Sequence, residues 1–334
     1  MTVSRILPRL AKVLVSLAGL LFTTWGALAL HYRLAWPAPL VHVAVALWCL
    51  LGLALLVLLW RRAAGSALAG FLVGFGVLLL WWQGLEPAAE LDWAPEVAEM
   101  ASGSLEGNQL LMRNVRNFDW RSEDDFTEAW ETRRYDLDRL VSVDLFTSYR
   151  GLPAIAHVIL SFGFDNGRFL AFSVEARREY GEAWSEIGGF FKEYELSIIA
   201  TDERDAIRLR TNVRGEQVYL YRLNMGHTTL RALLLSYMEQ ANALQDRPRF
   251  YNTLTANYTT LVFDMAQRLI GGLPLDPRLG LSGYLPGYLE RLGALTSGYS
   301  LEELRTLGHV NVRAWQAGHD EAFSLRIRQG VPAP

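Results

Sequence analysis

Three apolar runs in the first quarter of the chain constrain its fold more than any other feature. They read LAKVLVSLAGLLFTTWGALAL (10–30), PLVHVAVALWCLLGLALLVLLW (39–60) and GSALAGFLVGFGVLLLWWQGL (65–85), and none has a charge at its centre. Each has about the 20 residues that a helix needs to cross the hydrocarbon core of a bilayer. Tryptophans, which favour the membrane interface, lie at the ends of the runs: Trp36, Trp60, Trp81 and Trp82. The sequence therefore predicts three transmembrane helices within residues 1–84.

Lysine and arginine set the orientation of these helices. Arg5, Arg9 and Lys12 lie at or before the start of the first run, a basic pair at 61–62 separates the second from the third, and the loop between the first two has only Arg33. The positive-inside rule therefore places the N-terminus and the 61–62 loop in the cytoplasm. Everything after about residue 84 then lies on the far side, which in a Gram-negative cell is the periplasm. We expect a multi-pass protein of the inner (cytoplasmic) membrane with a periplasmic C-terminal domain.

A cleaved signal peptide is the alternative for the first run. The apolar region of a signal peptide is usually shorter than this run, and two further spans follow it in the chain. We therefore interpret the first run as an uncleaved span.

Composition limits the chemistry of the outer part. The single cysteine, Cys49, lies in the second apolar run, so the outer part has no disulfide, thiol nucleophile or cysteine metal ligand. His227, His309 and His319 do not have the spacing of a metal site. There is no phosphate-binding loop, and a net charge of −3 gives no sign of nucleic-acid binding. We expect no cofactor, no metal and no nucleic-acid partner.

Beyond the apolar runs, residues 85–109 are acidic and contain Ala, Pro and Gly, which is typical of a linker, and we place the soluble domain at 110–334. Residues 114–137 have no clean period and predict a loop with short extended pieces. The segment VYLYRL (218–223) predicts a strand, whereas 228–245 and 258–272 have apolar residues at helical spacing. Helices and antiparallel strands in separate runs indicate an α+β domain.

The segment IAHVILSFGFDNGRFLAFSVEARRE (155–179) predicts a β-hairpin around Asp165-Asn166-Gly167. A three-residue loop that pairs Phe164 with Arg168 makes one face uniformly apolar, with Leu160 opposite Phe172. A two-residue loop would mix apolar and polar residues on both faces, so the first register is favoured. That register sets His157 opposite Glu175.

This pair suggests acid–base chemistry. A carboxylate that accepts a hydrogen bond from one imidazole nitrogen orients the ring and raises its basicity, which leaves the other nitrogen to act as a general base. A lone histidine in a strand is more often structural, but the Glu175 partner favours the catalytic interpretation of His157. Such a base needs a nucleophile within hydrogen-bond reach.

The start of the helix at 258–272 is a natural place for that nucleophile, because free N–H groups there stabilise an oxyanion. The segment TANYTT (255–260) supplies Asn257 or Thr255 as the N-cap. Tyr258 offers a phenol with a pKa near ~10, a poor nucleophile near neutral pH. Thr259 and Thr260 offer hydroxyls, although capping or packing is the commoner role of such threonines.

Several segments together resemble the family called the Lnb N-terminal periplasmic domain, formerly DUF4105. They are NVRNFDWRSEDDFTEAWETRRYDL, DLFTSYRGLPAIAHVILSFGF, AFSVEARRE, YELSIIATDERDAIRLRTN and FYNTLTANYTT, and they occur in order from about Asn114 to Ile270. The resemblance implies a fold related to permuted NlpC/P60, papain-like domains. It also implies that phospholipids of the bilayer and lipoproteins are partners.

Members of this family include lipoprotein N-acyltransferases, in which a Cys–His pair takes an acyl chain from a phospholipid and passes it to the α-amine of a lipoprotein's N-terminal cysteine. His157 matches the family histidine, Glu175 matches an acidic position, and Tyr258 stands where the family motif TNCTT has its cysteine. The resemblance therefore implies an acyltransferase-like protein without the usual nucleophile. A non-catalytic lipid- or lipoprotein-binding protein and a cell-wall peptidase or amidase are the alternatives.

Overall fold

The computed structural model describes residues 3–61, 64–88, 90–253 and 258–334. Its chain divides into two compact units. The first comprises Met1–Pro87 together with a short segment, Ser185–Glu193, and the second comprises Ala88–Trp184 with Tyr194–Pro334.

The first unit is built on three apolar helices: α1 (Val3–Arg33), α2 (Ala38–Leu59) and α3 (Ala64–Gln83). All three are long and apolar enough to cross a membrane, as predicted. Trp48 of α2 is buried between the helices and donates its indole N–H to the carbonyl of Thr23 at 2.9 Å. Most other leucines and valines on these helices are exposed, which suits surfaces that face lipid rather than water.

An eight-stranded sheet organises the second unit, in the order β1-β2-β9-β8-β7-β6-β10, with β5 also paired to β2. Neighbours are antiparallel except β2 and β9, which are parallel. The strands are β1 (Ser102–Glu106), β2 (Gln109–Arg116), β5 (Trp130–Asp136), β6 (Leu140–Tyr149), β7 (His157–Phe164), β8 (Phe169–Arg177), β9 (Glu195–Thr201) and β10 (Gln217–Arg222), while β3 (Asp119–Trp120) and β4 (Phe126–Thr127) form a separate small pair.

Helices cover both faces of this sheet. They are α4 (Glu203–Arg208), α5 (His227–Asp246), α6 (Tyr258–Ile270), α7 (Leu285–Arg291), α8 (Leu301–Gly308), α9 (Asn311–Ala317) and α10 (Phe323–Arg326). Because side chains alternate along a strand, β7 contributes to two cores. Leu160 and Phe162 pack with α5 and α6 on one face, and Ile159 packs with α4, α9 and α10 on the other. We call these the α5–α6 face and the α9–α10 face.

The structure confirms the mixed helix-and-strand class and the predicted hairpin. Leu160 lies opposite Phe172 and Phe162 opposite Leu170, and the backbone N–H of Phe164 donates to the carbonyl of Arg168 at 3.0 Å. Gly167 has a φ of 77°, a left-handed conformation that favours glycine. The predicted strand at 218–223 and both predicted helices also form, as β10, α5 and α6.

Two segments are more regular than their composition suggests. The predicted linker at 85–109 contains β1, which pairs with β2 across a turn at Gly107 (φ 61°). The predicted loop at 114–137 contains the seven-residue strand β5, whose burial does not alternate. Both strands pair with β2, and this pairing provides backbone hydrogen bonds that no local pattern reveals.

Candidate functional site

The hairpin places His157 and Glu175 close together at one end of the sheet. Ile159 is paired with Ser173, and His157 and Glu175 lie just beyond this pair on the same two strands. Because side chains alternate along a strand, both residues are on the α9–α10 face, the side of Ile159. The Nε2 atom of His157 lies 3.3 Å from Oε1 of Glu175. The side chains are 27% and 23% exposed respectively, so that a reactant has access to the pair.

Ser173 bridges the two residues and fixes the direction of the hydrogen bonds. Its Oγ lies 2.6 Å from Nε2 of His157 and 2.6 Å from Oε1 of Glu175. An ionised carboxylate only accepts hydrogen bonds, so the single hydroxyl proton of Ser173 goes to Glu175. The hydroxyl oxygen must then accept from His157, which assigns the proton of a neutral ring to Nε2. Nδ1 is therefore the nitrogen that would act as a base.

Arg210 is the fourth member of this network. Its side chain is 4% exposed, and its Nη2 donates to Oε1 of Glu175 at 3.1 Å. A π-helical turn, Leu209–Val213, which follows α4 directly, carries this arginine. Such turns occur frequently at functional sites. We call His157, Ser173, Glu175 and Arg210 the polar network.

The polar network keeps Glu175 ionised. Burial alone would raise the pKa of this carboxyl, but the charge and hydrogen bond of His157, the charge of Arg210 and the hydroxyl of Ser173 outweigh it, so the pKa lies well below its ordinary value. At neutral pH the ionised carboxylate is therefore available to orient the imidazole.

Tyr251 lies between α5 and α6 in the chain and packs on the α5–α6 face of the sheet. Burial first, and then the charge of Glu175, raise the pKa of the Tyr251 phenol to about 12. The backbone N–H of Tyr251 donates to the carbonyl of Tyr194 at 2.9 Å, and Phe250 forms a bridge to Glu195 at the start of β9. These contacts hold the beginning of the FYNTL segment against the start of β9.

Tyr258 is the first residue of α6, so the predicted helix start is confirmed. Asn257 and Thr255, the predicted N-caps, lie outside the described residues, as do the side chains of Tyr258 and Thr259. Their roles stay predictions.

The packing of α6 adds a constraint. Leu261 and Met265 pack on the α5–α6 face of the sheet, whereas the side chain of His157 is on the opposite face. The sheet therefore separates the core contacts of α6 from the imidazole of His157.

The other histidines lie elsewhere. His227 begins α5. His309 stacks on Tyr219 with 5.0 Å between ring centroids, and His319 lies 3.2 Å from Asp119 through its Nδ1. In the part of the chain that the structure describes, no three His, Cys, Asp or Glu residues form a group that could hold a metal ion.

Sequence reasoning did not assign roles to Ser173 and Arg210. Ser173 was available from the register, because it precedes Glu175 on the same polar face of β8. Arg210 has no local signal, since it reaches the network from a turn that is 35 positions from Glu175 along the chain.

These features define a class of protein. A domain with an antiparallel-rich sheet and a histidine–carboxylate network at one sheet end follows three helices that are long and apolar enough to cross a membrane. Residues 126–285 match the family model described as the Lnb N-terminal periplasmic domain. The match assigns this part of the chain to that domain family. No curated protein and no solved structure matches it.

Proposed function

We propose that this chain is a lipoprotein N-acyltransferase-like protein of the inner membrane, which moves an acyl chain from a phospholipid to the α-amine of a lipoprotein's N-terminal cysteine. The observation that carries the proposal is the polar network. In this network an ionised carboxylate contacts an imidazole and an arginine at a partly exposed position. Removing such charges from water costs free energy. The same arrangement is the one that a general base requires.

The network supplies a proton acceptor for each step of such a transfer. In the two-step route of the family, Nδ1 of His157 takes the proton of a nucleophile, which attacks the phospholipid ester and forms an acyl-enzyme. The imidazolium then gives that proton to the departing alkoxide, which leaves as lysophospholipid. In the second step the α-amine attacks the acyl-enzyme and loses a proton to Nδ1 of His157. The bond between the acyl group and the nucleophile breaks as the amide forms, and the imidazolium returns the proton to the released nucleophile. Glu175 remains ionised throughout and stabilises the imidazolium.

The nucleophile is where this chain departs from that route. Cys49, the single cysteine, lies in α2, and position 258 carries a phenol, which is mostly protonated at neutral pH. This observation favours a second candidate function: binding of phospholipid or of a lipoprotein's lipidated N-terminus without acyl transfer.

One experiment tests both functions. The chain is expressed in cells that lack their own lipoprotein N-acyltransferase, and the N-terminal peptides of lipoproteins are analysed by mass spectrometry. N-acylated termini with the unmodified chain are the result expected of a transferase. Free amines with the unmodified chain, but N-acylated termini with Tyr258→Cys, would support the binding function at a site that still positions its substrates. Free amines with both would contradict the proposal.

Two further variants make the result specific. Tyr258→Cys combined with His157→Gln removes the base, and we expect it to abolish the N-acylation gained by the single variant. Val312→Cys, at an exposed position of α9, adds a thiol away from the predicted site and should leave lipoproteins unmodified. N-acylation that survives His157→Gln would show that the polar network is not the base.

A further inference from the structure

A short segment that follows β8 in the chain, Ser185–Glu193, belongs to the unit of the apolar helices. The ring of Phe191 is 7% exposed and packs among three aromatic rings near the C-terminal ends of α1 and α3. It stacks on Tyr32 with 5.8 Å between centroids, and lies 6.4 Å from Trp25 and 6.3 Å from Trp82. Aromatic residues at helix ends are typical of the membrane–water interface, so this segment is seated at that level.

Polar contacts hold the segment in place. Nζ of Lys192 donates to the carbonyl of Trp82 at 2.8 Å and lies 4.9 Å from the centroid of its indole ring. Lys192 has a φ of 57°, an uncommon backbone conformation for a residue with a Cβ. Gly188 lies against the side chain of Glu193, whose carboxylate occupies the space that a Cβ would take. These contacts hold the segment in one conformation and so fix the positions of the side chains at its tip.

Two large apolar side chains are exposed at that tip. Ile187 is 52% exposed and Phe190 is 39% exposed. Both belong to the short turn that ends at Phe190, and the next residue, Phe191, is buried against the helices. Exposed apolar side chains next to an interfacial aromatic cluster are typical of segments that enter the headgroup–acyl boundary of a bilayer. The segment adjoins helices whose exposed apolar surfaces suit lipid, so we expect lipid to cover these two side chains.

We propose that Ser185–Glu193 is an interfacial membrane anchor that inserts Ile187 and Phe190 into the outward-facing lipid leaflet. The anchor is a second attachment of the outer domain to the bilayer, in addition to the chain connection after α3. The strand that carries Ser173 and Glu175 therefore continues, along the chain, into a segment held at the lipid surface. This inference does not depend on whether the domain transfers acyl chains.

Spin labelling tests the anchor directly, because the chain has a single cysteine to remove. In a Cys49→Ala background, a nitroxide is attached at Ile187→Cys or Phe190→Cys in nanodiscs of phosphatidylethanolamine and phosphatidylglycerol. Collisions with oxygen, which concentrates in lipid, are compared with collisions with a water-soluble nickel chelate. Labels at Leu47→Cys of α2 and Val312→Cys of α9 serve as lipid and water references, since both native residues are more than half exposed.

We expect the labels at 187 and 190 to favour oxygen over the nickel chelate by several-fold relative to the label at 312, approaching the label at 47. Values equal to those at 312 would overturn the proposal. Protection from both reagents would also overturn it, because it would mean that protein covers the tip.

A second measurement needs no substitution at the tip. A phospholipid with a photoreactive diazirine near the carbonyl end of its acyl chain is incorporated into nanodiscs with the unmodified protein, and cross-linked peptides are mapped by mass spectrometry. Adducts within 185–193 support the anchor. Adducts on peptides of the three apolar helices without any in 185–193 would contradict it, since the helices report that the reaction worked.

Discussion

The contact between Arg210 and Glu175 gives a sharp quantitative prediction. Arg210→Met removes the Nη2 donor, 3.1 Å from Oε1 of Glu175, and keeps much of the length of the side chain. A hydrogen bond to a charged group contributes about 1.5–3 kcal/mol. Glu175 is 23% exposed and keeps its contacts with Ser173 and His157. We therefore expect the lower end of the range, a coupling free energy of about 1.5 kcal/mol at pH 7.

A double-mutant cycle isolates this coupling from the other consequences of removing a buried arginine. The free energy of unfolding of the outer domain is measured for the unmodified chain, Arg210→Met, Glu175→Gln and the double variant, by pulse proteolysis in urea with the full chain in nanodiscs. The exposed pair Arg121 and Asp125, whose side chains are 49% and 62% exposed, is the control. We expect weaker coupling there.

The same cycle has a defined pH dependence. The folded-state pKa of Glu175 is depressed, because the partners of the carboxylate outweigh the effect of burial. A depressed pKa stabilises the fold above the unfolded-state value, near ~4.3 for a glutamate, and this contribution is lost as pH falls through the folded-state pKa. The coupling should therefore persist at pH 7 and shrink at pH values below about 4. A coupling below about 0.5 kcal/mol at pH 7, or one that does not change with pH, would refute the reasoning.

Three further predictions concern the same domain. Asp205→Ala leaves Arg116 buried without its carboxylate partner, so we expect a loss of about 3–5 kcal/mol in the free energy of unfolding, measured from urea midpoints; an unchanged midpoint would contradict this. Gly308→Ala places a Cβ against the backbone of β10, whereas a Cβ at Gly280 meets open space. The first substitution should lower the free energy of unfolding by about 1–3 kcal/mol. The second should leave the melting temperature nearly unchanged. Equal melting temperatures for the two variants would show that the sheet accommodates the extra methyl group. In a chain active for N-acylation, Ser173→Ala should reduce the rate by less than the roughly 10²-fold expected for loss of the base itself. The reason is that the 3.3 Å contact between the ring of His157 and the carboxylate of Glu175 remains. A rate loss equal to that for loss of the base would mean that the hydroxyl is indispensable.

The hairpin was predictable because its information is local. Alternating apolar residues define the buried face, and Asp165-Asn166-Gly167 defines the turn. A slip of one residue would bring polar side chains to the apolar face, which excludes the competing register without knowledge of the rest of the fold. The spatial proximity of His157 and Glu175 follows from that register alone. The spans were predictable for a similar reason, since length and apolarity are sufficient.

The remainder of the site depends on long-range contacts. Arg210 reaches Glu175 from a π-helical turn, whose hydrogen-bond shift has no sequence period. β1 is ordered by its pairing with β2, although its own composition resembles a linker. The role of Ser185–Glu193 is equally hidden, because the relevant partners of Phe191 are rings near the ends of α1 and α3, far away in the sequence. In each case the deciding partner is distant along the chain, so no local pattern identifies it.

A comparison of two ion pairs in the domain supports a functional interpretation of the polar network. Arg116 and Asp205 form a sealed pair, 4% and 0% exposed, in which the carboxylate also accepts the indole N–H of Trp120. Such a pair serves the fold, since no reactant has access to it. Glu175 and His157 are about a quarter exposed, and the tautomer that the hydrogen bonds assign gives Nδ1 of the imidazole to a partner outside the network. A buried charge pair is weak evidence for stability. Arg210 is buried behind Glu175, and Glu175 faces the accessible imidazole of His157. This arrangement is therefore better explained by a chemical role of the imidazole than by a contribution of the ion pair to stability.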